Sequence, residues 1–365
     1  MASGLPSVSR VERQPLVRVF VPTYRRPATL PRALKSLLAQ SLGDWICEVH
    51  NDDPNDAFPA GLVKSLADAR IELHQHERRI GATATFNLFY RTCDAPFYCL
   101  LEDDNWWEPE FLEVMVAAMR SNPQVAMAWC NQKIWEELPD GSWHDTGRLV
   151  NAAQVPFGPQ LVEFGRFRQV IGALHSNGAM MMRSCPGDSF EVPADLPFAG
   201  TESFRERMIR HPLLFLPTPL AAFCRTQQTA RSESLSDWAT VQTILAATFL
   251  KHCGCSDEGF ARLFAEARRM RPPVTTTMML AAVTERHCLR LLRHSQPGDW
   301  IRLFRDLVRR PHVFWRVMNS RTDHPDWWSF LDRHSAIRFE ERRRQWTPAF
   351  ASSVNPGVAD TFGQI

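Results

Sequence analysis

Glu102, Asp103 and Asp104 close an apolar, strand-like run, Phe97 to Leu101, within the stretch CLLEDDNWWEP (99–109). Three adjacent carboxylates repel one another, and holding them beside a core is costly unless something positive offsets them. A single Asp here would suit helix capping, with Asp104 or Asn105 as cap of a helix starting near Glu108. Three exceed that need, so the excess charge points to a bound cation. Oxygen-only donors suit Mg2+ or Mn2+, which take one or two carboxylates and complete their shell with phosphate oxygens and water. A metal–diphosphate site of this kind stabilises the leaving group of a nucleotide-activated substrate. Trp106 could stack on a sugar ring, whereas Trp107 is expected to pack beneath the helix. His175, in HSNGA (175–179), could line an acceptor site, although a turn histidine is more often a structural hydrogen-bonder.

These residues need a frame, and residues 17–135 supply one by alternating between two periodicities. VRVFVPTY (17–24), WICEVHND (45–52), RIELHQH (70–76), FYCLLED (97–103) and VAMAWCNQKIW (125–135) read as strands. Between them, 28–41, 60–69, 82–93 and 108–122 read as helices, with Leu30, Leu34, Leu37 and Leu38 on one face and Pro109 near a first turn. Such alternation indicates βαβ units and a mostly parallel sheet, whose ligands bind at the carboxyl ends of the strands. Three of those ends carry polar groups: PTYRR, NDDPND and EDDN. Further strands are expected at 172–183 and 213–226. After about 236 the pattern turns helical, with single helices expected over 278–295 and 298–320. The chain thus divides into an N-terminal extension (1–15), an α/β unit (16–235), a helical C-terminal region (236–346) and a loosely ordered tail (347–365).

The 365 residues are 44% hydrophobic, enough for a sizeable core, and the net charge of +2 excludes a dedicated nucleic-acid binder. The nine cysteines are scattered, and the single close pair, Cys253 and Cys255, is a poor zinc signal. An N-terminus without an apolar run, and the lack of any stretch of about 18 apolar residues, predict a cytoplasmic protein. The Arg- and aromatic-rich segment 300–321 could rest on the inner face of an anionic membrane or form a homodimer contact. Packing on the rest of the chain is the commoner outcome. The segment 333–346 reads as a solvated helix face, as does Glu206 within ESFRERMIR (202–210).

Residues 17–235 resemble the family 2 glycosyltransferases, which adopt the GT-A fold. The resemblance rests on VFVPTYRRPATLPRALKSLLAQSLGDWICEVHNDDPND, on RIGATATFNLFY and on LEDDNWWEP, which occur in the family's order. It implies an α/β GT-A sheet with a C-terminal helical region, and an inverting transfer from a nucleotide-diphosphate sugar, most simply a UDP-sugar. Pro22, Thr23 and Tyr24 would line the nucleotide pocket, with Asp52 at the base and Gly81, Asn87 and Asp103 beside it. Glu102 and Asp104 would hold the metal, Mn2+ or Mg2+. By the same resemblance, FAGTESFRERMIR (198–210) makes Glu202 the base that deprotonates the acceptor, and Arg225 faces the diphosphate. The family's Arg before Asn87 is Phe86 here and its leading Asn is Arg79, which could supply charge to the diphosphate. Gln227 or Gln228 stands where a His is usual, and Asp53 where the paired-Asp turn has glycine. The acceptor is a carbohydrate, a lipid-linked glycan or a small molecule.

Two other readings compete. A nucleotidyltransferase would share the metal–phosphate logic but commonly carries a glycine-rich loop after the first strand, where PTYRRPATL has no glycine. A degenerate transferase module acting as a binding scaffold fits the departures at Phe86 and Gln227, but not the retention of all three carboxylates.

Overall fold

The computed structural model describes residues 14–91, 93–151, 158–185, 187–210, 212–227 and 235–345. The N-terminal extension through residue 13, Gln228 and the tail 347–365 lie outside the described residues. In β1 (Val17–Thr23), Val17, Val19 and Val21 alternate onto one face of the sheet, where they are buried. They meet Leu30, Leu34 and Leu37 of α1 (Leu30–Leu38), which the helical repeat places on a common stripe. Full burial of each such leucine contributes ~1.5–3 kcal/mol.

Five further elements continue the alternation: β2 (Trp45–Asn51), α2 (Phe58–Leu66), β3 (Ile71–Gln75), α3 (Ala82–Phe89) and β4 (Phe97–Leu100). β4 stops at Leu100, so Glu102–Asp104 project past the strand end instead of lying in it. The next helix, α4 (Phe111–Ser121), has Glu110 as N-cap, so neither Asp104 nor Asn105 caps it and Pro109 precedes its first turn. That removes capping as the reason for the carboxylates.

The second half adds β5 (Met127–Glu137), β6 (Trp143–Leu149), β7 (Gln160–Val162), α5 (Arg168–Ile171), β8 (Met180–Arg183), α6 (Thr201–Met208) and β9 (Leu213–Arg225). The sheet order is β3-β2-β1-β4-β8-β5-β9-β7, with β6 paired to β5. β1 to β4, β5 and β9 share one direction, and β8 runs antiparallel between β4 and β5. This mostly parallel sheet, with helices on both faces, is the arrangement that the sequence resemblance implies. The strand expected over 172–183 is only four residues long: α5 and a tight turn at Asn177–Ala179 occupy the approach to β8. β6 and β7 were not legible in the sequence, because their inward and outward residues do not alternate in polarity.

One face of the sheet buries the β1 valines against α1 and α4; the other packs Phe20, Phe86, Phe89, Tyr90 and Tyr98 around α3. A third core joins α6 to the C-terminal helices α7 (Leu235–His252), α8 (Asp257–Arg269), α9 (Thr275–Thr284) and α12 (Pro325–Gln345). The expected helix over 278–295 ends at Thr284 and gives way to 3-10 turns at Arg286–His294. The one expected over 298–320 breaks at Arg310, because Pro311 lacks the N–H that would continue it. The result is α10 (Pro297–Arg309) and α11 (Pro311–Asp323). Nor is 333–346 a solvated face: Ser335, Arg338 and Phe339 are buried, since their helical spacing turns them into the third core. Among the described residues, no helix is long and apolar enough to cross a membrane.

Candidate active site

The ends of β1, β2 and β4 converge, as parallel neighbours must, and the three polar strand ends come with them. Asp103 turns toward β1, where the Thr23 hydroxyl, the Tyr24 amide and Arg26 face it and favour its ionised form. Burial and the negative charge of Asp104 outweigh them, and its carboxyl is pushed up to about 7. Glu102 and Asp104 lie on the other side, where both charges press on the Cys224 thiol and help raise its pKa, after burial. Glu102 and Asp104 offer hard oxygen donors, the kind that suits Mg2+ or Mn2+.

The chain holds this cluster in place from several sides. Asn105 Nδ2 donates to Glu102 Oε2 at 2.6 Å, and the Cys224 amide donates to Asn105 Oδ1 at 2.9 Å. Gly178 packs directly on the pair: a Cβ there would lie 2.7 Å from Glu102 Oε2 and 2.9 Å from Asn105 Nδ2. Arg32 donates to the Asp104 carbonyl at 2.8 Å, with its guanidinium 4.1 Å from the Trp106 ring and 3.8 Å from Trp143. Trp106 therefore packs in a box with Arg32, Trp135 and Trp143. Trp107 is core: it stacks on Phe111 at 4.2 Å and donates its indole N–H to the Gly178 carbonyl.

On the β2 side, Asp52 is buried, and its carboxylate accepts from the Ile80 amide at 2.8 Å and the Gly81 amide at 2.9 Å. It thereby fixes the entry to α3, where Gly81 has φ +88°, a left-handed value that favours glycine. Asp53 pairs with Arg25 at 2.6 Å. Tyr24 lies between two guanidinium groups, Arg25 at 5.0 Å and Arg79 at 4.5 Å. Pro22 lines a shallow crevice with Phe20, His50, Thr85 and Phe86.

Glu202 stands in the first turn of α6, and its Oε1 accepts from the Asn177 amide at 2.8 Å. The Asn177 side chain accepts from the Tyr90 hydroxyl at 2.6 Å. Glu202 and Glu102 both act on that phenol, raising its pKa behind the larger effect of burial, so Tyr90 links the expected base to the acid cluster.

Three expectations need correction, those for Asn87, His175 and Glu206. Asn87 does not face the nucleotide: it is buried, its amide donates to the Val192 carbonyl, and its oxygen accepts from the Val192 amide and Arg205. His175 does not line an open acceptor site, because it is buried with Nδ1 2.7 Å from Glu206. Glu206 is not solvated: it also accepts from Gln169 at 2.7 Å and the Leu174 amide at 2.8 Å. Burial pushes its pKa up, but the His175 contact and charge, then Gln169 and the Leu174 amide, hold it below the ordinary range. Arg225 is engaged by Glu136 at 3.1 Å, across the β5–β9 pair. Arg26, Arg32, Tyr90, Asn105, Asn177 and Gly178 were not singled out as site residues. Their proximity to the motif in sequence marked only Asn105, because the rest reach the site across the fold.

The family model for glycosyl transferase family 2 matches residues 18–184. An Escherichia coli UDP-Glc:alpha-D-GlcNAc-diphosphoundecaprenol beta-1,3-glucosyltransferase is 27% identical over 119 residues, covering 33% of this chain and 46% of that enzyme. The chain thus spans about half the length of that curated relative. The S. aureus TarS 1-349 structure in complex with UDP superposes with a TM-score of 0.52 at 13% identity, covering 96% of this chain and 98% of that one. The TarS 1-349 complex with UDP-GlcNAc gives 0.51 at 12% identity, over 91% and 93%. At these identities the likeness establishes the GT-A fold alone. The match to the glycosyl transferase family 2 model thus takes in somewhat under half of the chain.

Proposed function

We propose that this glycosyltransferase inverts the anomeric centre of a UDP-sugar, in a metal-dependent transfer to an acceptor hydroxyl. The observation that carries the reading is the carboxylate cluster past the end of β4, where Glu102 and Glu202 both act on Tyr90, and where Tyr90 and the Asn177 that it bonds connect the cluster to Glu202. Glu102 and Asp104 would hold Mg2+ or Mn2+, which would offset the charge of the departing diphosphate. Tyr24, held between Arg25 and Arg79, presents its ring to the nucleoside, and Arg79 brings positive charge to the phosphate side. Asp52 keeps the 79–81 turn in position by binding two of its amides. Glu202 takes the acceptor proton as the new glycosidic bond forms and the bond to the diphosphate breaks. The Asn177 amide on its Oε1 orients it for that step. The UDP of the TarS complexes and the UDP-Glc in the E. coli relative's name support the choice of donor.

A lipid-linked acceptor reached from the inner face of a membrane suits the C-terminal helices. On α10, Ile301, Phe304 and Val308 are 71%, 67% and 67% exposed on one arc. Both acids of that helix are engaged, Asp299 by Arg268 and Asp306 by Thr276 and Arg305, which leaves a net positive rim that includes Arg309. Flotation with vesicles containing anionic lipid should carry wild type and lose Phe304→Glu; equal flotation would overturn the membrane contact alone.

The chemistry is tested by titrating UDP with and without Mn2+. Metal-dependent binding should be abolished in Asp104→Ala, and metal-independent binding shared by both proteins would remove the site. Glu202→Gln should keep nucleotide affinity within about twofold while turnover falls ~100-fold or more. Surviving turnover would place the base elsewhere.

A further inference from the structure

At the edge of the sheet, away from the acid cluster, β2 and β3 present Glu48, His50 and His74, whose ligand atoms all lie within 4.8 Å of one another. His50 and His74 are direct cross-strand partners in parallel register, and their rings stack at 4.8 Å. Glu48 sits two residues before His50 on the same face. Its Oε1 is taken by Arg18, which leaves Oε2 3.3 Å from His50 Nε2.

A hydrogen count points to a cation here. His50 Nδ1 is 3.3 Å from His76 Nε2, and His76 Nδ1 is 3.1 Å from Asp52 Oδ1. The chain Glu48–His50–His76–Asp52 therefore has three contacts, and a carboxylate, which only accepts, at each end. Two neutral imidazoles bring one N–H apiece, so one contact lacks its proton. An extra proton would fill the gap by leaving an imidazolium. A metal ion does so with both rings neutral: it takes the Glu48 oxygen and the His50 Nε2 lone pair. His50 Nδ1–H then donates to His76, and His76 Nδ1–H donates to Asp52.

We propose that Glu48, His50 and His74 bind one borderline divalent cation of the Zn2+ class, at a site separate from the oxygen-only cluster. Two imidazoles and one carboxylate are the donor set such ions prefer, whereas Mg2+ avoids it. His74 is 44% exposed at its side chain, so the ion enters from solvent and keeps water as a further ligand. The occupied site ties β2 to β3 and orients the His50–His76 hydrogen bonds toward Asp52. None of this depends on the transfer reaction proposed above.

Calorimetric titration of the full chain with Zn2+, in excess Mg2+ to occupy the acid cluster, tests the assignment. One equivalent is expected for wild type, weakened roughly a hundredfold in His74→Ala and in Glu48→Gln. His74 is an exposed strand residue, so its variant keeps the fold, and its metal-free melting temperature should match wild type. Absence of the equivalent in wild type, or its persistence in His74→Ala through the cysteine thiols, would overturn the proposal.

Discussion

Asp103, half-buried, and Glu206, fully buried, are carboxylates of one chain whose electrostatics are opposite. Around Glu206, the loop entering β8 brings the Leu174 amide and His175, and α5 brings Gln169, so the carboxylate stays ionised below its ordinary range. Around Asp103, burial and Asp104 prevail over Thr23, Arg26 and the Tyr24 amide, and the carboxyl rises to about 7. The partners of Glu206 outweigh the cost of its burial, and those of Asp103 do not. The two glutamates of α6 share one segment: Glu206 accepts from the Leu174 and His175 amides, and Glu202, one turn earlier, accepts from the Asn177 amide.

Breaking the satisfied side should have the largest effect. Glu206→Leu strands His175, Gln169 and the Leu174 amide, and removing one partner of a buried pair costs ~3–5 kcal/mol. Denaturant unfolding would read this as a lower midpoint; an unchanged midpoint would mean the cluster contributes nothing net. Next is Asn87→Leu, which unpairs Val192 and Arg205 and should lose ~1–3 kcal/mol of stability. Its KM for the nucleotide sugar should stay near wild type below the melting temperature, whereas a raised KM would return Asn87 to the nucleotide pocket.

The unsatisfied side gives smaller and subtler signals. Gly178→Ala places a methyl against Glu102 Oε2 and Asn105 Nδ2. Both can swing away, so the protein should fold, but the displaced carboxylate should lower kcat about tenfold, ~1.4 kcal/mol. Smallest is the pH slope of Asp103. Its folded pKa is raised, so its contribution to stability is complete below the unfolded value near 3.8 and is lost as pH rises through about 7. Metal-free protein should therefore lose stability across that window, on the order of 1 kcal/mol after allowance for solvent screening at a half-buried group. Asp103→Asn, or saturating Mn2+, should flatten the slope. A slope that persists in both would assign the titration to another group.

The β1–β4 series and its three polar ends were legible because they rest on short-range regularities, a two-residue and a 3.6-residue repeat cut by proline and polar turns. The acid cluster was legible for a related reason: its members are adjacent, so their repulsion is certain before any folding. Carrying residues over by family resemblance was less secure where the side chain is buried. Asn87 sits where the pattern suggested, but a partner 105 residues away turned it to structural work, as a partner 31 residues away did for the turn histidine His175. In the C-terminal region, Pro311 marks the α10–α11 break, a local signal that the sequence offered and periodicity alone passed over.

The chain's own order of residues determined the parallel α/β frame and the crowding of negative charge at the tip of β4, because both follow from neighbours along the backbone. Only the tertiary structure decided which carboxylate would be answered: Asn105 meets Cys224 119 residues on, Glu202 meets Asn177 25 residues back, and Glu206 meets His175 31 residues back. Those pairings depend on which strands and helices come to lie side by side, and a carboxylate's charge state follows from the atoms that surround it, not from those that flank it in sequence.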